Sequence, residues 1–67
     1  MNEAALIKIQ SKVIGLDREL HKLINELING QSLTSDEHLT IMINSTEREL
    51  SIYNDILKLI INNWNEN

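Results

Sequence analysis

Residues 6–27, LIKIQSKVIGLDRELHKLINEL, decide how this chain folds. Their apolar positions recur at Leu6, Ile9, Val13, Leu16, Leu20, Leu23 and Leu27, alternately three and four residues apart. On a helix that rhythm keeps one continuous stripe on one side, the pattern of a coiled-coil seam. A second series follows at Leu39, Ile43, Thr46, Leu50, Tyr53, Leu57, Ile60 and Trp64. If the chain reverses near Ser32 and Leu33, the two series meet in antiparallel order. Leu27 then faces Leu39, Leu23 faces Ile43, Leu20 faces Thr46 and Leu16 faces Leu50. Val13, Ile9 and Leu6 continue against Tyr53, Leu57 and Ile60. The expected fold class is all-α, an antiparallel two-helix coiled-coil hairpin.

Local signals predict where the helices begin and end. The first helix is expected over about 3–29, the turn over 30–34 and the second helix over about 35–64, in a single domain. Asn2 suits an N-cap, and Glu3 places a carboxylate where the helix dipole favours it. Gly30 is placed to end the first helix in the left-handed conformation. Thr34-Ser35-Asp36-Glu37 reads as a capping box, with Thr34 accepting from the Glu37 amide and Glu37 reaching back. Gly15 interrupts the first helix away from the seam. It reads either as a tolerated glycine on an exposed face or as a point of close approach for another chain.

Size and charge narrow the function. The chain has 67 residues, below the roughly 70–80 at which one apolar core supplies more than about 3–5 kcal/mol. It has no cysteine to form a disulfide and two histidines, too few for a self-contained zinc centre. Association with another chain is the expected source of further stability. The net charge of −4 is uneven. Lys8, Lys12, Arg18 and Lys22 balance Glu3, Asp17, Glu19 and Glu26 in the first helix, while acids outnumber bases in the second. An acidic chain without a basic patch argues against nucleic-acid binding. No basic leader precedes an apolar core, and no apolar run approaches a membrane span, so a cytoplasmic location without membrane contact is expected.

Apolar residues outside the seam carry the functional expectation. Ile7, Ile14 and Ile28 recur every seven residues on the first helix, with Ile24 beside them. Met42, Ile52, Ile56 and Leu59 form a corresponding set on the second. A lone hairpin leaves much of this surface wet, and exposed apolar surface marks an interaction site. Trp64, at the open end, is a further candidate anchor. The hairpin is therefore expected to be completed as a four-helix bundle by dimerisation or by a helical partner protein.

Catalytic, cofactor and metal sites are not expected. His21 follows Asp17 by one turn, an arrangement that can orient an imidazole, but such a histidine more often edges an interface and bonds locally. His38 is expected to pack over Leu33 and the loop. Asp17, Glu19, Glu47 and Glu49 share a level with Arg18 and Arg48 and read as a salt-bridged flank. Thr46, the polar member of the seam, is expected to bond a carbonyl one turn back.

Two resemblances sharpen these expectations. Leu20-His21-Lys22-Leu23, Glu26-Leu27-Ile28-Asn29-Gly30 and Glu47 to Leu50, with the isoleucine-rich second helix, make the chain resemble the small helical-hairpin co-chaperones of type III secretion needle subunits. That resemblance implies binding to a larger helical-repeat chaperone. Asp17-Arg18-Glu19-Leu20-His21-Lys22-Leu23-Ile24 is similar in outline to the Ser-Gln-Glu-Leu-Asp and Lys-Leu-Ile motif of hairpin phosphatases acting on sporulation response regulators. Here Asp17, Arg18 and His21 replace the motif's serine, glutamine and aspartate, and the segment lies on the other helix. The function expected is a non-enzymatic protein–protein interaction module: an adaptor, co-chaperone or small regulator. The alternatives are a phosphatase-like regulator, or a structural dimer or inhibitor protein of a mobile element, a source that the abundant isoleucine and asparagine suggest.

Overall fold

The computed structural model describes residues 3–30 and 32–65, apart from the side chains of Trp64 and Asn65. Two helices account for nearly all of it. Helix α1 spans Glu3–Asn29 and helix α2 spans Asp36–Asn65, packed against each other, with no strand among the described residues. Thirty residues of helix extend about 45 Å, and the molecule is a rod of 49 × 16 × 13 Å. Its radius of gyration, 15.2 Å, exceeds the roughly 11 Å of a compact chain of this length.

The core lies on the seam but towards the loop. Leu23, Leu39 and Ile43 are buried, Leu39 with 1% of its surface exposed, and Leu20, Ile24, Leu27 and Met42 pack against them. Farther from the loop, Leu6, Ile9, Val13 and Leu16 on α1, and Leu50, Tyr53, Leu57 and Ile60 on α2, are half-buried. Thr46 is half-buried too, and its hydroxyl donates to the Met42 carbonyl at 2.8 Å; among the described residues no buried polar side-chain atom lacks a partner.

The connection is held by three local devices. Gly30 has φ of 65°, and its N–H donates to the Glu26 carbonyl at 3.1 Å, so α1 ends in an αL cap. The Ser32 hydroxyl oxygen accepts from the Thr34 amide at 3.1 Å and lies 3.5 Å from the Glu26 carboxylate, tying the loop to the last turn of α1. Ser35, not Thr34, caps α2: its Oγ accepts from the His38 amide at 3.2 Å, and its carbonyl accepts from Leu39 at 2.9 Å. The predicted capping box is thus displaced by one residue. Serine and threonine cap similarly well, and the Ser32 contact holds Thr34 in the loop. His38 then occupies the position where a box needs Glu or Gln. The expected N-cap Asn2 lies outside the described residues.

Candidate functional site

The arrangement of flanking residues decides what surface the hairpin leaves open. Two helices bury only the facing side of each seam residue, so exclusion of water depends on the neighbours on either side. At the level of Leu23 and Ile43 those neighbours are Ile24 on α1 and Met42 on α2, both half-buried against the core. At the level of Leu16 and Leu50 they are Asp17 and Glu49, both exposed. Charged side chains keep their heads in water and cannot close the seam from above. The core is therefore sealed near the loop and open along the rest of the rod.

Most of the residues expected at the surface are there. Ile7, Ile14 and Ile28 on α1, and Ile52, Ile56 and Leu59 on α2, are exposed, Ile28 by 74%. Ile24 and Met42 pack onto the core and are only partly available. The side chain of Trp64 is outside the described residues. Sequence reasoning missed Leu33, Ile41 and Ile61, all exposed. Ile41 points away from the seam, and a count of apolar residues off both series would have found it. Leu33 stands free at the loop tip, 107% exposed, so it does not lie beneath His38, which is itself exposed.

These residues do not form one continuous patch. With 100° between successive residues, Ile7 and Ile14 lie about 130° around α1 from the seam. Ile52 and Leu59 lie about 130° around α2 in the sense that, for an antiparallel partner, points to the other side. The apolar stripe of α1 and that of α2 thus occupy opposite edges of the rod. On the α2 edge, Glu49, Ile52, Tyr53 and Ile56 surround an open hollow of about 360 Å³. Four residues at this spacing make the hole that receives one side chain from a facing helix. A larger open hollow, about 650 Å³, lies beside the loop and is lined by Lys22, Asn25, Glu26, Asn29, Ser32, Leu33 and Thr34.

The total exposed area gives the same indication. The chain exposes 5260 Å², on the order of 1,000 Å² more than the roughly 4,300 Å² of a compact monomer of 7.7 kDa. A standard interface buries about 800 Å² per partner.

The polar candidates offer less. His21 Nδ1–H donates to the Asp17 carbonyl at 2.8 Å and lies 3.6 Å from the Asp17 carboxylate, with the His21 side chain 72% exposed. This i,i+4 contact is the only ion pair within 4 Å among the described residues, and it requires a protonated imidazole. Arg18, Arg48, Glu19, Glu47 and Glu49 therefore form no intrachain salt-bridged flank. Their long side chains extend from exposed positions into water, where pairing gains little. Among the described residues no cluster of three or more His, Asp or Glu could hold a metal ion. No described helix is long and apolar enough to cross a membrane. No protein-family model, curated protein or solved structure matches the chain.

Proposed function

We propose that this chain is a non-enzymatic protein–protein interaction module, an adaptor, co-chaperone or small regulator that binds helices along its apolar edges. The observation that carries this reading is the excess of exposed isoleucine and leucine, arranged at helical spacing on both edges of a hairpin that buries three of its described residues. Burying such surface yields about 25 cal/mol per Å², and the open hollow on α2 has the residue spacing of a helix-packing hole. A helical occupant satisfies both features. The resemblance to secretion needle co-chaperones, whose partner is a helical-repeat protein, is consistent with an occupant of that kind. A phosphatase-like role would use Asp17, Glu19 or His21, but these lie on an exposed helix face with no pocket among the described residues that collects them.

The test is a double substitution on exposed positions. Ile14→Asp with Ile56→Asp should leave helix content by circular dichroism unchanged and weaken association, with itself or with an added helical partner, by more than about a hundredfold. Undiminished association in this variant would place the binding surface elsewhere. Release of phosphate from an acyl-phosphate response regulator on adding the wild-type chain would overturn the non-enzymatic reading.

A further inference from the structure

We propose that the occupant of each edge is a second copy of this chain, bound heterologously, with α1 of one hairpin laid antiparallel in the α2 hole of the next. The proposal rests on the interaction reading above and adds the partner and the geometry.

Three observations carry it. The first is register. In the antiparallel seam, Ile14 lies level with Ile52, and Ile7 lies level with Leu59, on opposite edges of the rod. A copy displaced sideways, with no shift along the rod, brings Ile14 over the hollow between Glu49, Ile52, Tyr53 and Ile56 of its neighbour. Ile7 then meets Leu59, and Ile24 meets Ile41, whose exposure nothing within the hairpin explains.

The second is charge. In the same placement Arg18 comes beside Glu49 of the neighbour, and Asp17 beside Arg48. Within the chain, Arg18, Arg48 and Glu49 have no ion-pair partner among the described residues. No pair of like charges is brought together at this level.

The third is the limit on the symmetric alternative. A two-fold dimer joins the same edge of both copies. With its axis along the rod it sets Ile7 and Ile14 over Ser51, Asn54 and Lys58, or Ile52 and Ile56 among Lys8, Lys12 and Lys22. With its axis across the rod it sets one apolar edge on itself and leaves the other edge of both copies in water. The heterologous contact covers both apolar edges. Such a contact leaves one unsatisfied edge at each end, so assembly continues into a ring or a filament. The excess exposed area, divided over two edges, makes each contact smaller than a standard interface and assembly strongly concentration-dependent.

Sedimentation velocity on the whole chain tests this with two single variants and their mixture. The wild type should pass beyond a dimer as its concentration rises. Ile14→Asp disables the α1 edge and Ile52→Asp the α2 edge. Each alone should associate more than about tenfold more weakly while keeping wild-type helix content. Mixed one to one, they should form a heterodimer and nothing larger, since one intact edge of each kind remains. An Ile14→Asp chain that still dimerises would overturn the proposal in favour of a two-fold contact through α2. A wild type that stays monomeric into the millimolar range would remove self-association altogether, and would leave the interaction reading to be tested with a foreign helix. Should either aspartate variant lose helix content, Arg18→Glu and Glu49→Arg provide a second route. Each alone should weaken assembly by about threefold, and both in one chain should restore it. Failure of the double exchange to restore assembly would also overturn the proposal.

Discussion

The two halves of the rod share one seam and differ in what covers it. Near the loop, Ile24 and Met42 cover Leu23, Leu39 and Ile43 from both sides, and the core there is buried. Towards the open end, Leu16, Leu50, Val13 and Tyr53 follow the same rhythm, but Asp17 and Glu49 stand in the covering positions and the seam is half-wet. The difference lies in the flanks rather than the stripe. It separates a half that holds the hairpin together from a half whose burial a partner could complete.

The largest expected effect follows directly. Leu39→Ala removes a fully buried side chain and should cost about 2–5 kcal/mol. A chain this small has roughly 3–5 kcal/mol to lose, so the variant should be largely unfolded at room temperature. Leu57→Ala removes the same atoms from a half-buried site and should cost well under half as much. Thermal unfolding followed by circular dichroism, at concentrations low enough to keep both chains monomeric, compares them. Equal losses would mean that the two halves contribute alike.

Much of the fold was legible because it depends on periodicity. Leu6 to Leu27 and Leu39 to Ile60 state their facing sides through spacing alone, and Gly30 marks the end of α1 by the one conformation it tolerates better than other residues. The site was legible in its members and not in its geometry. Ile14 and Ile52 could be named as surplus apolar residues, but their placement on opposite edges follows only when each helix is turned about the seam. Ile41 and Leu33 were lost for another reason: neither belongs to a series. The cap was misplaced by one residue because its choice between Thr34 and Ser35 depends on how the loop folds onto Glu26, a contact between residues that propensity does not compare.

That displaced cap supplies a sharper test within the buried half. Ser35→Ala removes the acceptor of the His38 amide and should destabilise the hairpin by about 1 kcal/mol. Thr34→Ala removes a hydroxyl with no part in that cap and should change stability by less than about 0.5 kcal/mol. A larger loss for Thr34→Ala would return the N-terminus of α2 to the sequence-predicted position.

Gly15 gives the smallest effect and the finest distinction, because it lies in the open half on the side of α1 away from Ile14. A Cβ added there meets nothing within 4 Å, and the glycine has no positive φ to preserve. In the isolated hairpin Gly15→Ala should therefore stabilise α1 by up to about 1 kcal/mol through helix propensity alone. The heterologous contact through Ile14 leaves this position clear, so assembly should be unchanged or slightly stronger. A two-fold contact through α2 with its axis along the rod would lay Ile52 over Gly15, where a methyl group would obstruct close packing. If the alanine variant is more stable as a monomer yet associates more weakly, the neighbouring copy approaches the glycine. Stability and association rising together would instead assign Gly15 to solvent and leave the edge that carries Ile14 as the one in contact.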